Sequence, residues 1–144
     1  MMQWIASART SRLSGRTGWI PTIVRIAAGG FFVGVGAGKF LEYSKEVHDF
    51  RSYEVPWPEV AVPFVGVIEV VGAALLIVGL LVRLAALVLA LNMVGALLTA
   101  GRVEGGSFHL VYAPALLLAM IVLLWAGPGH VSFDERLEAR RRIV

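Results

Sequence analysis

One carboxylate, Glu69, lies inside the apolar run VAVPFVGVIEVVGAALLIVGLLV, residues 60–82. The run is long enough to cross a bilayer, which takes about 20 mostly apolar residues. An ionisable group there is costly, so it must be protonated, paired with a cation from another helix, or turned toward a polar cavity. That makes Glu69 the candidate catalytic group, a side chain that could hold or pass a proton. Lys39 ends an earlier apolar run, and His109 and Tyr112 begin a later one. At about 1.5 Å of rise per residue, Glu69 lies roughly 14 Å from the end of its span, on the side where those three sit. Lys39, His109 and Tyr112 are therefore the candidate ligand-binding residues, able to hydrogen-bond carbonyl or hydroxyl groups. The competing reading is that Glu69 only locks two helices together. Arg25 and Asn92, placed in the other half of the membrane, form a candidate structural polar pair. For Arg25 the alternative is snorkelling to the headgroups, and Asn92 is the kind of amide that bonds across helices.

Much other chemistry is excluded. The chain has no cysteine, hence no disulfide, thiolate nucleophile or Cys-ligated cluster of its own. It has no His-Glu-x-x-His motif, glycine-rich phosphate loop or Gly-x-Ser-x-Gly elbow, and no metal site is expected. Two of the three histidines, His48 and His130, fall outside the apolar runs, so two-histidine haem ligation within a bundle is not available. Any redox role must borrow its electron carrier, with no covalent cofactor expected and a quinone as the candidate.

The elements that would position these groups are membrane spans. Of 144 residues, 58% are hydrophobic and 16% charged, against about 25% charged in a soluble domain. The net charge of +3 comes from basic residues near the two ends, which points to anionic lipid headgroups and not to nucleic acid. Four spans are predicted, over about 19–40, 60–82, 84–100 and 109–126, making an all-α integral membrane four-helix bundle over 19–127. A basic arm, 1–18, precedes it. Its arginines Arg9, Arg12 and Arg16 make it either a flexible tail or, near Trp4 and Ile5, a partly helical surface segment. It lacks the features of a secretory signal and is expected to stay on the mature protein.

Residues 41–59 form a polar connection with five acids and Pro56-Trp57-Pro58, expected to cap the bundle with a short surface helix. An amphipathic tail, 128–144, opens with a capping box in which Ser132 caps and Glu135 answers. In the first span, Gly30, Gly34 and Gly38 form one stripe for close helix approach, and Arg25, Gly29, Gly36 and Lys39 form a second. Nine Lys and Arg residues lie toward the side of the termini and four toward the other, so both termini are predicted cytoplasmic. The two halves show no internal repeat.

Taken in order, Arg25, Gly29-Gly30, Gly38-Lys39-Phe40, Glu69-Val-Val-Gly72, the run Leu75 to Arg83, and Gly127-Pro128-Gly129-His-Val-Ser132-Phe-Asp134 resemble the DoxX family of small bacterial four-helix membrane proteins. The resemblance extends from about residue 20 to 135. It implies a multi-pass protein of the bacterial plasma membrane, usually in a redox setting. Relatives include a subunit linked to thiosulfate:quinone oxidoreduction, and members are thought to assemble with other oxidoreductases. Arg25, Lys39 and Glu69 match the family's recurring polar positions, to which no catalytic role is transferred. The absence of cysteine separates this chain from thiol-using four-helix relatives. The expectation is an accessory subunit of a membrane-associated redox system whose cavity takes a quinone or small molecule. Its expected partners are lipids, membrane-associated oxidoreductases and a second copy of itself. The alternatives are a structural or chaperone-like scaffold and, third, a carrier for a small solute.

Overall fold

The computed structural model describes residues 10–104, 106 and 108–141, and all regular structure among them is helical. Four stretches are long and apolar enough to cross a membrane: Gly15–Leu41, Pro58–Val78, Val82–Val103 and His109–Ala126. The helices are α1 (Trp19–Leu41), α2 (Tyr43–Ser52), α3 (Pro58–Val78), α4 (Val82–Leu98), α5 (Ala113–Ala126) and α6 (Phe133–Arg141). The most extensive packing is α1 on α3 and α4 on α5; α3–α4 and α1–α5 contacts close the ring, leaving α1 and α4 diagonally opposite. Large apolar side chains such as Ile23, Phe64, Leu91 and Leu118 point outward. That is the pattern of a bundle whose solvent is lipid, because helix backbones satisfy their own hydrogen bonds there.

Glycine sets the α1–α3 register. A Cβ on Gly36 would meet the Glu69 Cβ at 2.9 Å, and one on Gly29 would meet Ile77 at 2.7 Å, so the two helices run antiparallel with Gly36 beside Glu69. The stripe containing Arg25, Gly29, Gly36 and Lys39 is therefore the one in contact. A Cβ at Gly30, Gly34 or Gly38 would meet nothing within 4 Å, which corrects the expectation of close approach along that first stripe. Both stripes have small residues at helical spacing. Only one also carries two cations that lipid would reject, and that one turns inward.

The chain turns earlier than hydropathy implies. The expected second span runs to residue 82, but α3 ends at Val78 and Gly79, at φ 76, starts a turn that gives way to α4 at Val82. The third span continues past Thr99 in a helical turn, Ala100–Val103, and the fourth begins with a π turn, Phe108–Tyr112. The polar connection forms its surface helix as α2 and lies across one end of the bundle.

At the opposite end both described termini pack together. Trp4, Ile5 and Arg9 of the basic arm lie outside the described residues, as does Arg142 of the tail. From residue 10 the arm is seated: Arg12 N–H donates to the Ala126 carbonyl at 2.8 Å, and a 3-10 turn, Gly15–Gly18, leads into α1. Ser132 caps as expected, with Glu135 N–H donating to its Oγ at 3.2 Å, while the Glu135 carboxylate lies toward His130 Nδ1, at 4.0 Å.

Candidate functional site

The two ends of the bundle handle charge in opposite ways. At the end holding the termini, Arg25 is 1% exposed, so it does not snorkel. Its Nη1 donates to the Leu76 and Ile77 carbonyls at 2.8 and 2.7 Å, in the last turn of α3. Neither carbonyl has the usual partner four residues on, Leu76 keeping only the Gly79 N–H at 3.1 Å, and the negative end of the helix dipole favours a cation there. Nε and Nη2 donate to the carbonyls of Pro128, His130 and Val131. A guanidinium has five N–H donors, and here five carbonyls take them. Next to it Asp134 is fully buried and accepts from the amides of Leu81 and Val82, both at 3.0 Å, capping α4 from 50 residues downstream. Leu81 and Val131 both have positive φ, 51 and 55, so the backbone around this cluster is held in conformations that bulky residues avoid.

At the other end a chamber of about 610 Å³ lies under α2. Its apolar floor is formed by Phe32, Met93 and Leu116. Glu69, 2% exposed, borders it and is paired with Lys39 Nζ at 3.0 Å. Asn92 Nδ2 donates to the other Glu69 oxygen at 2.8 Å. Lys39 sits one turn along α1 from Gly36, so its stem reaches back down to the carboxylate that Gly36 faces; it also approaches Glu46 of α2 at 3.9 Å.

Polar latches hold α2 over the chamber, and no residue of α2 is buried. Pro63 has no N–H to give the Glu59 carbonyl one turn earlier, and the Tyr43 hydroxyl donates to that carbonyl instead, at 3.0 Å. Arg51 pairs with the Glu59 side chain, and the Tyr53 hydroxyl donates to Glu104 Oε2. His109 Nδ1 lies 3.5 Å from the same carboxylate, and its ring meets Tyr53 edge-on at 5.9 Å. Burial, the hydrogen bond to Glu104 and the surrounding acids push the Tyr53 phenol well above its ordinary value.

Glu69, Lys39 and His109 thus border one chamber. Tyr112 does not line it; half exposed, it stacks on Phe31 at 5.7 Å. The cause is the π turn, in which residues three apart no longer return to one face. Asn92 also moves. The expected Arg25–Asn92 grouping is replaced by Asn92 on Glu69, with Arg25 among carbonyls at the far end. Tyr53 takes the position foreseen for Tyr112. The polar cap pointed to this region, but nothing in the spacing singled out Tyr53 or Glu104.

Fold and site define a small four-span membrane protein with a polar chamber between its helices at one end and an arginine-centred lock at the other. The chain belongs to the DoxX family, which it matches over residues 20–102. It is 36% identical over 132 residues to an uncharacterized membrane protein of Mycobacterium tuberculosis, an alignment covering 81% of this chain and 80% of the relative. No solved structure matches. The family match stops short of residues 127–131, where the carbonyls of Pro128, His130 and Val131 complete the Arg25 shell.

Proposed function

We propose that this DoxX-family protein is an accessory subunit of a membrane-associated redox system, and that the chamber receives a quinone headgroup or a small polar molecule. One observation carries the reading: the buried Lys39–Glu69 pair, with Asn92 bonded to it, borders an open volume of about 610 Å³ instead of being packed over. Cavities of roughly 300–1,000 Å³ that are mostly apolar with a few convergent polar groups suit ligands of this size. Lys39 and His109 supply hydrogen-bond donors for ring oxygens, while the Tyr53 proton is held by Glu104. Glu69 is the candidate proton carrier, with Asn92 fixing its carboxylate. With both termini cytoplasmic, as the arginine distribution predicts, the chamber opens toward the outer face.

The test uses purified full-length protein in nanodiscs. A short-chain naphthoquinone is expected to bind saturably, and Glu69→Gln, expressed and folded normally, is expected to lose at least tenfold in affinity. No saturable binding to the unaltered protein would sink the reading. A second reading, a structural scaffold for partner proteins, is favoured by the fact that both Glu69 oxygens already have protein partners. It predicts that Glu69→Gln misfolds and that a paired change at Lys39 rescues it.

A further inference from the structure

The chamber has a charge opposite in sign to that of the chain around it. The protein as a whole is +3. The chamber wall holds five acids, Glu42, Glu46, Asp49, Glu69 and Glu104, against two lysines, Lys39 and Lys45, which gives −3 with His109 neutral. Glu69 is answered by Lys39 at 3.0 Å and Glu42 by Lys45 at 3.5 Å. Glu46, which shares the same Lys39 at a longer 3.9 Å, Asp49 and Glu104 make up the net excess around the entrance. Low-dielectric walls focus such a field, raising the local concentration of cations and repelling anions.

Aromatic rings share the entrance with these acids. Phe50 and Tyr53 stand 6.4 Å apart, and Tyr53 faces His109 edge-on. Aromatic faces attract an ammonium or related cation, most strongly where it is partly desolvated. Beneath the rim the floor is apolar, where Phe32 and Met93 are both buried. A negative aromatic rim over an apolar floor has a defined complement: a charged head that stays at the rim and a hydrophobic body that goes down.

We infer that the chamber takes an organic cation, with its onium head among Glu46, Asp49 and the aromatic rings and its apolar body against Phe32, Met93 and Leu116. This rests on the reading of the chamber as a ligand site but not on a quinone being the occupant. Lys39 lies between Glu69 at 3.0 Å and Glu46 at 3.9 Å, so its one positive charge is outnumbered by the acids around it and does not reverse the sign of the rim.

The probe is tetraphenylphosphonium, titrated into full-length protein in nanodiscs of zwitterionic lipid, with empty nanodiscs as the blank. Saturable binding above the blank is expected, with none for tetraphenylborate, the anion of matching size and shape. Two charges about 8 Å from the onium centre, at a largely aqueous effective dielectric of about 60, each contribute about threefold. The double variant Glu46→Gln/Asp49→Asn should therefore weaken binding by about tenfold. Both residues are on the helix with no buried side chain, and an unchanged thermal midpoint confirms that the variant is folded. Binding no greater than the blank, or equal in variant and parent, overturns the inference. The naphthoquinone is titrated in the same samples: if it binds while the cation does not, only the organic cation is lost, and if neither binds, the chamber as a ligand site is lost as well.

Discussion

At the end holding the termini, a buried arginine is surrounded until no donor is left over and no space remains. At the other end a buried glutamate and lysine answer each other beside an open chamber. Arg25 joins α1, α3 and the segment after α5, and Asp134 joins α6 to the start of α4. The Lys39–Glu69–Asn92 group joins α1, α3 and α4, with a longer reach from Lys39 to Glu46 of α2, and needs nothing from α5. Such a division separates the charge that assembles the bundle from the charge that stays available. Removing a group at the first end should unfold the protein, whereas matched removal at the second should leave a folded protein without its site.

Arg25→Ala should have the largest effect. It strips donors from five carbonyls gathered around a buried side chain, and breaking a buried charged network typically costs about 3–5 kcal/mol. The expected outcome is loss of the monodisperse peak on size exclusion. Arg25→Lys should not rescue it, because an ammonium has three donors and no planar fork. A well-folded Arg25→Lys protein would show that the shell is less demanding than its geometry.

At the chamber end, Lys39→Met alone leaves Glu69 buried without its cation and should cost about 3 kcal/mol in unfolding titrations. Combining it with Glu69→Leu should restore most of that stability, because both charges leave together, while ligand binding stays lost. A double variant as unstable as the single would erase the proposed difference between the two ends. Glycines give a milder version of the contrast. Gly36→Ala puts a Cβ 2.9 Å from Glu69 Cβ and Val70 and should cost about 1–3 kcal/mol, whereas Gly34→Ala enters open space and should shift stability by under about 0.5 kcal/mol.

How much of this was legible in the sequence depends on whether a residue's partners were local. Four spans, the surface helix over the bundle and the Ser132 cap follow from runs and spacings a few residues long, and each appears. Lys39 and Glu69 met because two charges forced into one apolar bundle have few partners. Asn92 was misplaced by measuring depth from opposite membrane faces. It lies about 15 Å from the start of α4, and Glu69 about 14 Å from the adjoining end of α3, so the two are at one level. The turn at Gly79 was invisible because its amides are capped by Asp134, far along the chain. Hydropathy records what a side chain prefers, and it does not record which distant carboxylate will satisfy a backbone.

A smaller effect than the loss of any buried charge concerns the latch over the chamber. Burial, Glu104 and nearby acids raise the Tyr53 phenol above the tyrosine value of about 10. The neutral phenol is the form that donates to Glu104, so the folded protein holds this proton more tightly than the unfolded chain. The latch's contribution is then fully present below about pH 10 and is lost as pH rises through the folded value. In an ultraviolet titration, the difference between the parent protein and Tyr53→Phe should contain one phenol ionising above about pH 10. The variant itself should lose only about 1 kcal/mol or less, since Tyr53 and Glu104 are both partly open to water. If the difference spectrum instead showed a phenol titrating at the ordinary value, Tyr53 would not be held by Glu104, and the chamber end would be more open than its geometry implies.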